Sequence, residues 1–129
     1  MDRQTITTES APSAIGPYSQ AVRTGHIVWV SGQIPLDPAT GQLVTGGFEA
    51  QVEQAFANLA AVVKAAGGQP AQVAKLTLFV TDLSRFDAVN QVMQRHFSAP
   101  YPARSTLGVA SLPRGAQFEV EAVLVLDPA

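Results

Sequence analysis

The runs "ARSTLGVA" and "QFEVEAVLVL" each set a charged residue into a strand-like apolar pattern: Arg104 in the first, Glu119 and Glu121 in the second. A guanidinium offers a planar fork that matches a carboxylate, and a glutamate can orient a water and take its proton. Arg104 and a glutamate could equally form a structural ion pair. Both readings stand on pattern alone. In "VWVSGQIP", Ser31 lacks the Gly-x-Ser-x-Gly elbow of a hydrolase nucleophile, and His26 and His96 are the only histidines, so a Ser-His triad is not expected. Gly32 permits close backbone approach, either as an anion-binding N–H or as a simple strand bulge. Tyr18, after Gly16-Pro17, is either a lid over a pocket or a loop anchor. Asn90 reads as a solvent-facing or helix–sheet hydrogen-bonding residue. The two histidines have no partners at metal-ligand spacing, and no glycine-rich phosphate loop is present, so neither a metal nor an organic cofactor is expected.

These residues need elements to hold them. "RQTITTE" (3–9) is β-branched and strand-like, and "QAVRTGHIVWVSGQIP" suggests two strands joined at Thr24-Gly25. Phe48, Val52, Ala55, Phe56, Leu59, Val62, Val63 and Ala66 recur at helical spacing and stop at Gly67-Gly68. "VAKLTLFV" (73–80) is a strand. Ser84, with Asp87 three residues on, resembles a capping box that opens a second amphipathic helix through Phe86, Val89, Val92, Met93 and Phe97. The order is βββαβαββ, one α+β domain over 1–129: a six-stranded mixed sheet with two helices on one face.

Period-2 alternation divides each strand into two faces. Phe118, Val120, Ala122, Leu124 and Leu126 form one purely apolar set, Ala74, Leu76, Leu78 and Val80 a second, and Leu107 and Val109 a third; these sets should meet the helices. The other faces mix Val73, Phe79, Val123 and Val125 with Lys75, Thr77, Arg104, Thr106, Glu119 and Glu121. Two helices cannot cover both sides, so the mixed face is expected to be buried against further copies of the chain, with Arg104 and Glu119 sharing it.

Composition narrows the function classes. Charged residues are 14% against 47% hydrophobic, well below the roughly 25% charged of an average soluble domain, which again favours self-association. The net charge of −2 offers no basic stripe for nucleic acid. Without cysteine there are no disulfides or thiol nucleophiles. The polar start and the lack of a long apolar run lead to the expectation of a soluble cytoplasmic protein.

The motifs "IGPYSQAV", "VWVSGQIPLDPATG", "VNQVMQRHF", "YPARSTLGVASLP" and "FEVEAV" together resemble the YjgF/RidA family along nearly the whole chain. The resemblance implies a chorismate-mutase-like fold and a homotrimer with clefts between subunits. It further implies hydrolytic deamination of reactive 2-enamine or 2-imine acids, such as 2-aminoacrylate, to 2-keto acids and ammonia. Carried over by motif, Arg104 would bind the substrate carboxylate, Glu119 would position the water and Tyr18 would close the pocket. Ser31, Gly32, Thr106 and Asn90 would line it. Thr106 stands where many members have cysteine, and Met93 where an aromatic residue is common. A non-catalytic keto-acid sensor using the same arginine is the alternative from another class; a ribonuclease or translation-inhibitor role fits the acidic net charge less well.

Overall fold

The computed structural model describes residues 2–127. Its strands are β1 (Arg3–Ile6), β2 (Ala21–Thr24), β3 (Ile27–Gln33), β4 (Val73–Val80), β5 (Ala103–Gly108) and β6 (Phe118–Val125); its helices are α1 (Phe48–Ala65) and α2 (Phe86–His96). They form one six-stranded sheet in the order β1-β2-β3-β6-β4-β5. All neighbours are antiparallel except β4 and β5, which run parallel because α2 carries the chain back across the sheet between them. Among the described residues no helix is long and apolar enough to cross a membrane.

The core lies between the helices and one face of the sheet. Phe118, Val120, Ala122, Leu124 and Leu126 are all buried, as are Leu76, Leu78 and Val80, and the α1 stripe Val52, Ala55, Phe56, Leu59, Val62 and Val63 closes over them. Gly67 takes φ +83 just past α1, a left-handed position that glycine adopts without strain. Across the helix pair, Arg95 meets Glu49 and His96 meets Glu53, each at 2.8 Å.

Three sequence expectations fail, each for a physical reason. The β4–β6 register shifts between Val73 and Lys75, which turns Ala74 outward and buries Val73, the reverse of strict alternation. In place of a capping box, Ser84 lies in a 3-10 turn (Leu83–Arg85) whose N-cap Asp82 accepts its backbone N–H at 3.0 Å, and α2 starts only at Phe86. The faces of β5 are also inverted. Parallel register sets Arg104 beside Leu76, Thr106 beside Leu78 and Gly108 beside Val80, so Arg104 and Thr106 take the helix face while Leu107, 44% exposed, takes the other. A short edge strand lying beyond most of the helical cover can turn polar residues toward the helices, and alternation alone cannot decide which set goes in.

The face away from the helices carries Ile27 and Trp29 from β3, Val123 and Val125 from β6, and Phe79 from β4. Trp29 and Val125 are about half exposed.

Candidate active site

Arg104 is held by one face of α2. Its Nη1 donates to Asn90 Oδ1 at 2.7 Å and lies 3.5 Å from Met93 Sδ, and its guanidinium stands 4.9 Å from the centre of the Phe86 ring. Residues 86, 90 and 93 fall four and three apart, the spacing that places side chains on one helix face. Asn90 thus makes the helix–sheet hydrogen bond its position suggested. The salt bridges among the described residues do not include Arg104, so an ion pair with Glu119 or Glu121 is not what fixes it. It opens instead onto a cleft of about 290 Å³ lined by Asn90, Met93, Gln94, Tyr101 and Pro102. Two residues along the same strand face, Thr106 Oγ1 is buried without a partner.

Glu119 stands on the other side of the sheet. It pairs with Phe79 while Arg104 pairs with Leu76, and β4 separates their strands. Two strand spacings and three residues of rise put their backbones on the order of 14 Å apart, on opposite faces. The expectation that they share a face is therefore corrected: within one chain no small substrate touches both.

A second cleft, of about 460 Å³, surrounds Glu119 with Tyr18, Ser31, Gly32, Ile34, Pro113 and Glu121. The sequence "SG" is a bulge, since the β3–β6 register shifts between Val30 and Gln33. A Cβ on Gly32 would overlap the Glu119 carboxyl, with Cδ 2.8 Å away, so only glycine leaves room for that side chain. The Ser31 hydroxyl donates to the Ser19 carbonyl at 2.6 Å and the Ser31 N–H to Gln20 O at 2.9 Å. With its proton so engaged, Ser31 is not poised as a nucleophile.

Burial raises the Glu119 carboxyl above the usual carboxylate range, and the neighbouring Glu121 adds to the rise. No salt bridge among the described residues offsets this.

Tyr18 is 52% exposed and borders both the Glu119 cleft and a neighbouring one. Its loop is anchored rather than free. Buried Gln20 accepts from Thr8 N–H and donates to Pro12 O, both at 2.7 Å, and the Tyr18 hydroxyl accepts from Ile15 N–H at 3.3 Å. Among the described residues no three His, Asp or Glu side chains gather as a metal site.

Of the residues expected to act together, the structure groups Arg104 with Asn90 of α2 and sets Thr106 two residues along the strand face of Arg104; it groups Glu119, Tyr18, Ser31 and Gly32 in the other cleft. Sequence reasoning missed Phe86 and Met93 as supports of Arg104, having placed them in the core stripe. The signal available was Asn90, a polar residue interrupting that stripe.

Comparison with known proteins assigns the family. Residues 8–126 match the family model described as Endoribonuclease L-PSP. A human protein named 2-iminobutanoate/2-iminopropanoate deaminase is 43% identical over 98% of this chain and 92% of its own. One of the same name from Dermatophagoides farinae is 44% identical over 97% and 98%. Among solved structures, RidA from an Antarctic Psychrobacter superposes with a TM-score of 0.92 at 47% identity, covering 95% of this chain and 99% of that one. E. coli TdcF with bound serine gives 0.90 at 39% identity, covering 96% and 99%. The chain belongs to the Endoribonuclease L-PSP family, which is the YjgF/RidA family.

Proposed function

We propose that this protein hydrolyses 2-imino acids, and the 2-enamino acids in equilibrium with them, to 2-keto acids and ammonia. The site we infer is composite: the Arg104 cleft of one copy faces the Glu119 cleft of the next, in a ring of three. The observation that carries this reading is the split itself. One chain holds a fixed carboxylate fork and, on the opposite face, a half-buried acid whose carboxyl fills the space that a side chain at Gly32 would need; neither suffices alone. The half-apolar face bearing Trp29, Phe79, Val123 and Val125 supplies the surface for the neighbouring copy.

In the assembled site Arg104 binds the substrate carboxylate as a fork, with Nη1 already committed to Asn90. Glu119 holds a water against C2. The water oxygen adds to that carbon as Glu119 takes a proton from the water and passes it to nitrogen, giving a 2-amino-2-hydroxy acid. The hydroxyl proton then moves by way of Glu119 to nitrogen as the C2–N bond breaks, leaving the C2=O of the keto acid and ammonia. A carboxyl raised by burial sits closer to the pH at which it can both accept and donate. Imines already hydrolyse in water unaided, so orientation and one acid–base group are sufficient devices. Tyr18 covers the cleft, and the unpaired Thr106 hydroxyl has a partner available once a ligand or water fills the Arg104 side.

Mixing tests both activity and composition of the site. Arg104→Lys and Glu119→Gln chains should each be nearly inactive toward 2-aminoacrylate generated in situ. Refolded together in equal amounts, they should regain about a quarter of wild-type activity, because random assembly joins an intact arginine half to an intact glutamate half at that share of junctions. No recovery, with both variants folded, would place the two residues in one chain's site or outside it. A keto-acid sensor would bind pyruvate yet hydrolyse nothing.

A further inference from the structure

A second guanidinium lies beside the Glu119 cleft, outside everything used so far. Leu112–Gly115 is a tight turn closed by Gly115 N–H to Leu112 O at 3.3 Å, with Arg114 at φ 62 and ψ 16. Arg114 is the only non-glycine residue with positive φ among the described residues. That third turn position favours glycine or asparagine, because a Cβ is strained in left-handed backbone. If the turn had no task beyond reversing the chain, glycine would serve it better.

The Arg114 side chain is only partly used. Nη2 donates to Gly41 O at 3.2 Å, one acceptor for a group with five donors, and the salt bridges among the described residues leave Arg114 without a carboxylate. It borders a cleft of about 220 Å³ whose walls include Pro12, Ile15 and Leu36. This cleft shares Tyr18, Gly32, Ile34 and Pro113 with the Glu119 cleft, so the two lie side by side with Gly32 bordering both. A ligand whose reacting carbon sits at Glu119 and whose side chain extends past Tyr18 along this cleft meets the exposed guanidinium of Arg114.

We propose that Arg114 is a second anion-recognition point and that the protein takes 2-imino acids whose side chain ends in a carboxylate. The inference rests on the deaminase reading above: the α-carboxylate goes to Arg104 of a neighbouring copy, the imine carbon to Glu119 and the distal carboxylate to Arg114. The reaction is unchanged: water adds to C2, the C2–N bond breaks and ammonia leaves, giving a 2-keto dicarboxylate.

The test compares two imines made in situ, one from D-aspartate by D-aspartate oxidase and one from D-alanine by D-amino-acid oxidase, with keto-acid formation followed in each. The wild-type protein should accelerate both. Arg114→Gly suits the left-handed turn and should fold at least as stably as wild type. It should lower kcat/KM for the aspartate-derived imine by about 10- to 100-fold, the effect of one lost charge-assisted contact, and change the alanine-derived one by less than about two-fold. Arg114→Lys should restore part of the loss. If wild type turns over the alanine-derived imine but not the aspartate-derived one, or if Arg114→Gly depresses both equally, the Arg114 subsite is wrong while the deaminase reading survives. If wild type hydrolyses neither, the deaminase reading itself fails and takes this one with it.

Discussion

Arg104 and Glu119 are supported in opposite ways. Arg104 lies on an exposed edge strand, yet an amide oxygen, a thioether and an aromatic ring hold its guanidinium. Glu119 lies in a central strand, half-buried, with a second glutamate nearby and no cation bridged to it among the described residues. A permanent charge that must grip a carboxylate gains from being locked in place, because binding then costs less ordering entropy. A group that must accept and release a proton gains from an environment that disfavours its charged form. The difference between the two supports matches the difference between the two tasks proposed for them.

Glu119→Gln should have the largest effect and should separate function from stability. Loss of the acid–base group is expected to lower kcat by about 10²- to 10⁴-fold, read by single-turnover imine hydrolysis. The same change should raise thermal stability modestly at neutral pH. The folded-state carboxyl titrates above its unfolded value, so between those values the folded state holds more protons and stability falls as pH rises. Glutamine escapes that cost. The stability gain should shrink as the solution is acidified through the carboxylate range, where wild-type Glu119 is protonated in both states. Melting curves at both pH values check it; an E119Q protein less stable at neutral pH would mean the carboxylate has a stabilising partner in the assembly.

Gly32→Ala comes next. The added methyl meets the tip of a flexible side chain, not backbone, so Glu119 can swing aside and the fold survives while its aim is lost. A loss of about 10- to 100-fold in kcat is expected, with the circular dichroism spectrum unchanged.

Changes to the residues that support Arg104, rather than to Arg104 itself, should have smaller effects, and these should appear in KM. Asn90→Ala removes the charge-assisted hydrogen bond to Arg104 and should raise KM by about ten-fold with kcat nearly constant. Phe86→Leu keeps an apolar side chain but removes the ring face, for an expected two- to five-fold rise, roughly what an exposed cation–π contact supplies. Equal losses of kcat in the Asn90 and Glu119 variants would erase the distinction between clamp and proton carrier.

Much of this molecule was legible in its sequence. The α1 stripe and its glycine stop, the β4 limits at Val73 and Val80, and the buried set of β6 all follow from local rules: helical or two-residue periodicity and the conformational freedom of glycine. Arg104, Glu119, Gly32 and Tyr18 stood out as residues able to do chemistry, and the exposed Trp29 and Val125 agree with a sheet face too apolar for water. What the sequence could not decide was direction. Alternation says which residues share a face, not which face is turned to the helices; that was fixed by the parallel register of β5 on β4, which put Arg104 beside Leu76. A single bulge reversed Val73 and Ala74, because one inserted residue flips every side chain before it relative to those after. The separation of Arg104 from Glu119 onto opposite faces, and the meeting of Arg114 with Tyr18 along one cleft, arise from contacts between segments far apart in the chain, which only the tertiary structure decides.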